Sequence, residues 1–111
     1  MSDRLPSAML VSAMLRRVND AGGLAVVRAK GDAQGGAILI LLDDRGRAPR
    51  VVERGFGSDG RAVLIDSTPS DSEHGWEDYW RRRRSRDPDL WVIELDIADA
   101  ERFAAETMLG D

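Results

Sequence analysis

The run Ala37-Ile38-Leu39-Ile40-Leu41-Leu42, closed by Asp43, constrains this chain more than any other feature. A strand turns alternate side chains to opposite faces, so a run that is apolar at every position needs cover on both. Ala37 to Asp43 therefore reads as a central strand. The cover must come from other parts of the chain on both faces of the sheet or from a partner subunit.

The rest of the chain supplies elements to build around it. Pro6 and Ser7 open a helix, with Ser7 in the N-cap position. From Ala8 to Asp20, Leu10, Val11, Met14, Leu15 and Val18 recur at helical spacing, and Gly22-Gly23 ends the stripe. Four strand-like runs follow: Leu24 to Lys30, the central run, Arg50 to Phe56 and Arg61 to Asp66. Gly31-Asp32 with Gly35-Gly36, and Gly57-Ser58-Asp59-Gly60, read as turns. Connections this short favour an antiparallel meander. A second helix is expected over Glu73 to Arg86, with Ser70 and Glu73 spaced as a capping box, and Asp87-Pro88-Asp89 stops it. Leu90 to Ile97 forms a fifth strand. A third helix, Ala98 to Leu109, carries Ala100, Phe103, Ala104 and Met108 on one stripe, with Asp96 as its expected cap. The order α-β-β-β-β-α-β-α predicts an α+β fold with three helices and a mostly antiparallel sheet of about five strands.

At 111 residues the chain is the size of a single domain, 1–111, in which Met1 to Leu5 is expected to be a disordered start. It contains no cysteine, which excludes disulfides, thiolate nucleophiles and cysteine-held clusters. The apolar run is far short of the roughly 20 residues that span a bilayer, and nothing reads as a signal peptide. No membrane association is expected, and the cytoplasm is the expected compartment.

The net charge of −4 argues against non-specific binding to polyanions, yet the basic residues are clustered. All but Lys30 are Arg, and Arg81, Arg82, Arg83, Arg84 and Arg86 share the second helix with Glu73, Glu77 and Asp78. Acidic residues near its start and basic ones near its end complement the helix dipole. Glu77 with Arg81 and Asp78 with Arg82 are i, i+4 pairs. Such a helix is a solvated, self-paired face first and an anion site second. Trp76 and Trp80 lie one turn apart on it, Arg83 and Arg84 continue their face, and Trp91 follows the short Asp87-Pro88-Asp89 link. The three indoles read as a core patch or, if exposed, as a groove or dimer contact.

His74, the single histidine, stands among Asp66, Asp71, Glu73, Glu77 and Asp78, too few nitrogen ligands for a metal reading to lead. Gly22-Gly23 and Gly31 to Gly36 each lead into a strand rather than a helix N-terminus, so neither is a phosphate loop. No metal site, cofactor or catalytic set is expected.

The chain also resembles the domain-of-unknown-function family 1491, uncharacterised small bacterial proteins. The resemblance rests on Leu5-Pro6, Arg16-Arg17-Val18-Asn19 to Ala21-Gly22-Gly23, Gly31-Asp32 with Gly35-Gly36, and Arg86-Asp87-Pro88-Asp89-Leu90-Trp91-Val92. It implies a stand-alone bacterial domain and brings no activity, ligand or catalytic residue. The residues favour a non-enzymatic binding or protein-interaction domain, self-associating or serving a protein partner, through Trp76, Trp80, Arg83, Arg84 and Trp91. The alternatives are a nucleic-acid-binding module using Arg81, Arg82 and Arg86 with their neighbours, and a small enzyme with a cofactor not evident from sequence.

Overall fold

The computed structural model describes residues 5–44, 47–70 and 75–110. The first helix, α1 (Ser7–Asp20), buries Leu10, Val11, Met14 and Val18, the stripe expected from their spacing. Pro6, not Ser7, occupies its N-cap position. The Ser7 hydroxyl instead donates to the Gly36 carbonyl at 2.5 Å. No side-chain cap is needed, because the Ser7 and Ala8 amides donate to the carbonyls of Gln34 and Ala33.

Five strands follow: β1 (Leu24–Ala29), β2 (Ile38–Asp44), β3 (Arg47–Phe56), β4 (Ala62–Asp66) and β5 (Trp91–Asp96). α2 (Gly75–Arg86) lies between β4 and β5, and α3 (Ala100–Met108) comes last. Element order and number are as the sequence indicates, with ends displaced by up to about three residues. The β3–β4 turn closes as expected. Gly60 takes φ +81°, the Gly57 amide donates to the Arg61 carbonyl at 2.9 Å, and the Arg61 amide donates to the Asp59 carboxylate. The proposed capping box and His74 involve residues 71–74, outside the described residues.

The sheet runs β1-β5-β2-β3-β4, antiparallel throughout except where β5 lies parallel to β2. This corrects the expected four-strand meander: only β2-β3-β4 is one, and β5 inserts between β1 and β2. Burial explains the choice. β5 is shielded on both faces along most of its length, whereas Leu24 and Val26 of β1 remain exposed. The strand with the bulkier apolar side chains, Trp91, Val92, Ile93 and Leu95, takes the interior position. Consequently Gly31 to Gly36 is not a hairpin turn but a link passing the start of β5, where the Asp32 amide donates to the Asp89 carbonyl and the Trp91 amide to the Ala37 carbonyl.

The helices divide between the two faces. α1 and α3 pack with Ile38, Ile40, Leu42, Val52, Trp91, Ile93 and Leu95, while α2 covers Leu39, Leu41, Val51, Leu90 and Val92. The chain thus provides both covers that the apolar run demands. The N-cap position of α3 is taken by Asp99, a non-glycine residue at φ +58° whose side chain makes no cap bond. The expected cap, Asp96, is instead the last residue of β5, in register with Leu24 and Asp43. Among the described residues no helix is long and apolar enough to cross a membrane.

Candidate functional site

α2 is the element on which the sequence concentrates its candidate residues. Glu77 and Asp78 occupy its first turn and Arg83, Arg84 and Arg86 its last, each placed favourably in the helix field. Trp76, Tyr79 and Trp80, at i, i+3 and i+4, form its sheet-facing stripe against Leu39, Leu41, Val51, Leu90 and Val92. Trp80 is 7% exposed, and Trp76 is half-buried.

Trp91 is not part of this cluster. Leu90 and Val92 face α2, so alternation turns Trp91 to the opposite face, among the residues under α1 and α3. Its indole N–H donates to the Asp32 carbonyl at 2.7 Å. The expectation that all three indoles come together is corrected: the sheet lies between them.

The Arg residues separate into two sets. Arg83 folds inward and grips Glu53 of β3 with both Nη atoms, at 2.6 and 3.0 Å, while one of them also donates to the Tyr79 hydroxyl at 3.0 Å. The Ser67 hydroxyl completes the Glu53 carboxylate at 2.5 Å. Burial pushes the Glu53 pKa up, but Arg83 and Ser67 outweigh it and the net shift is downward. The Arg83 pKa is raised, first by its bonds to Glu53. Arg84 reaches over the end of β1 and donates to the Lys30 carbonyl at 2.9 Å. Its Nε and the Trp80 Nε1 are buried donors with no partner among the described residues.

Arg81, Arg82 and Arg86 stay on the solvent side. The two expected helical pairs are present: Arg81 lies 3.2 Å from Glu77 and Arg82 3.4 Å from Asp78. Arg86 forms no ion pair among the described residues. The following turn adds exposed Asp87 and Asp89, so the ridge has mixed charge rather than being uniformly basic.

Three participants were not singled out from the sequence: Arg28, Glu53 and Glu94. Arg28 of β1 donates to Glu94 at 2.7 Å and Glu77 at 2.5 Å, and its guanidinium lies 5.4 Å from the centre of the Trp80 ring. Arg81 lies 5.3 Å from that ring, giving the indole two cationic neighbours. Hydrogen bonds to Glu77 and Glu94 raise the Arg28 pKa. For Glu77, burial acts upward, but Arg28 and Arg81 together bring its pKa below the ordinary value. A signal was available. Arg28 and Glu94 are charges inside otherwise largely apolar strands, and such charges need partners.

Among the described residues no three His, Cys, Asp or Glu side chains gather to hold a metal ion. Asp66, named with His74 in the metal reading, accepts from Arg50 at 3.1 Å and from the Thr68 hydroxyl and amide. Away from α2, a cavity of about 310 Å³ lies between α1, α3 and the β3–β4 hairpin, with Leu10, Phe56, Met108 and Leu109 in its wall.

Comparison with known proteins agrees with the architecture. A crystal structure of a DUF1491 family protein from Caulobacter crescentus CB15 is 32% identical and superposes with a TM-score of 0.79, over 90% of this chain and 94% of that one. A solution structure of a DUF1491 family protein from the same organism, also 32% identical, gives 0.75 over 89% and 91%. The solution structure of a protein from A. tumefaciens, 30% identical, gives 0.67 over 84% and 86%. No curated protein matches. Residues 5–105 match the family described as "Protein of unknown function (DUF1491)", and the chain belongs to that family.

Proposed function

We propose that this chain is a non-enzymatic binding domain that engages a protein partner through the outward ridge of α2, formed by Asp78, Arg81, Arg82 and Arg86. One observation carries the reading: the packed aromatics and Arg83 are committed to holding α2 on the sheet, while this charged ridge is held out into solvent. Trp80 then serves as its foundation rather than as a contact, and Trp91, on the far face of the sheet, takes no part. Trp76, half-buried at the start of the helix, and Arg84 border the ridge.

The partner chemistry is a polypeptide segment of mixed charge, onto whose carboxylates the Arg guanidinium groups fork and whose basic residues meet Asp78, Asp87 and Asp89. Nucleic acid is the weaker reading. Glu77, Asp78, Asp87 and Asp89 lie among the Arg residues and oppose a phosphate backbone. The enzyme reading has less support still: Asp66 is already engaged by Arg50 and Thr68. In a titration with a fluorescent peptide of alternating Glu and Lys and, separately, a single-stranded thymidine oligomer, the peptide is expected to bind more tightly. The triple variant R81E/R82E/R86E is expected to abolish peptide binding while leaving the melting temperature within a few degrees. Tighter, steeply salt-dependent binding of the oligonucleotide would overturn the proposal in favour of nucleic acid.

A further inference from the structure

The two ends of the sheet are built differently. At the β1 end the register breaks between Val27 and Ala29, and Arg28 is drawn back over Trp80 to Glu77 and Glu94. A bulge of this kind twists an edge away from further pairing. At the β4 end the register with β3 is unbroken from Phe56 and Ala62 to Val52 and Asp66. The strand Ala62-Val63-Leu64-Ile65-Asp66 has no proline, lysine or bulge to protect it. Leu64 packs into the core beneath α1 and α3, leaving Val63 and Ile65 on the other face at 36% and 43% exposure. Ile65 lies over the bare backbone of Gly55, where a Cβ would meet its Cδ1 at 1.9 Å.

We infer that β4 is a self-association edge, pairing antiparallel with β4 of a second copy about a twofold axis at Leu64. The hydrogen bonds to β3 fix this register. The Ser67 amide donates to the Val51 carbonyl and the Gly57 amide to the Arg61 carbonyl. By alternation, residues 61, 63, 65 and 67 turn their peptide groups toward β3, and Ala62, Leu64 and Asp66 turn theirs outward. About an axis at Leu64, that residue meets its own copy and Ala62 meets Asp66, so every outward peptide group finds another.

The intervening positions oppose Val63 to Ile65 of the second copy, and Ile65 to Val63. These are β-branched pairs at the closer of the two cross-strand spacings. A slip of one residue sets outward peptide groups against inward ones and brings Val63 onto the leucine face. A second copy thus satisfies the outward peptide groups and the exposed Val63 and Ile65 together, and two five-stranded sheets become one of ten.

A contact between five-residue edges is small beside the roughly 1,200–2,000 Å² of a stable interface, so the association is weak and reversible. Sedimentation equilibrium and amide NMR of the full chain between about 50 µM and about 1 mM test it. The mass is expected to move toward the dimer, with shift changes centred on residues 62–66. V63K and I65E are each expected to weaken association about tenfold or more, and the double variant V63K/I65E to restore it, because the new charges face each other across the axis. R81E/R82E/R86E is expected to leave it unchanged, which separates this inference from the proposed role of α2. A monomeric mass over the whole range overturns the inference, including when another protein's strand binds the edge. So do shift changes centred elsewhere, or a double variant with native circular dichroism that does not recover.

Discussion

Glu53 binds α2 to β3 through a single carboxylate, which accepts from both Nη atoms of Arg83 and from the Ser67 hydroxyl. The two side chains of the pair are 21% and 31% exposed, shielded enough for the pair to matter more than an open surface bridge. Its folded-state pKa lies below the ordinary 4.5, so the stability it contributes is complete above that value and is lost as pH falls through the folded one. Glu77 and Asp66 are shifted in the same direction, the latter chiefly by the Thr68 hydroxyl and amide. The melting temperature is therefore expected to fall as pH drops from about 5 toward 3. E53Q is expected to cost about 1–3 kcal/mol at neutral pH and to make that acid slope shallower, read by thermal melts at each pH. An acid slope unchanged in the variant would remove Glu53 from this role.

α2 is the lightest-held element. Its apolar foothold is the stripe of Trp76, Tyr79 and Trp80, whereas β2 and β5 are sealed on both faces. The helix also carries the two unpaired buried donors, Trp80 Nε1 and Arg84 Nε, and each such group costs about 1–3 kcal/mol. Amides of residues 79–86 are expected to exchange with deuterium faster than those of 91–96, through an opening that leaves the sheet intact. Equal protection in the two segments would show that α2 opens only with the whole domain.

At this scale the sequence was legible wherever the information is local. The spacing of Leu10, Val11, Met14 and Val18 marks α1, the unbroken run at Ile38 marks a covered strand, and Asp59-Gly60 marks a hairpin. Strand order was not legible, because the pairing of β5 with both β1 and β2 is a choice among distant partners. The side to which Trp91 turns follows from alternation once Leu90 and Val92 are placed, but their placement is itself a long-range fact. Of the candidate residues, the charged ridge was visible as a run of Arg. Its anchoring by Glu53 and Arg28 was not, since those residues lie 30 and more positions away from their partners.

For the molecule as a whole, the decisive junction is where the β1–β2 link passes the start of β5. Gly31 and Gly36 lie against the Asp89 carbonyl so closely that a Cβ on either would meet its oxygen at 2.1 Å. The Trp91 indole and the Ser7 hydroxyl are tied into the same link through Asp32 and Gly36. Most of the short motifs behind the family resemblance therefore converge on one place in the fold. G36A is expected to destabilise by more than about 2 kcal/mol in denaturant unfolding. G35A, one residue earlier and facing open space, is expected to stay within about 0.5 kcal/mol. Equal tolerance of both substitutions would show that the junction yields readily.

The position of β5 also governs when folding can occur during synthesis. Translation delivers β1 and β2 long before the strand that separates them, so no native sheet can close on a nascent chain that has not yet released residue 96. Until then β2, which carries the longest apolar run, waits with the side meant for β5 unpaired. A chain that ends before β5 is therefore expected to leave that flank of β2 without its native partner.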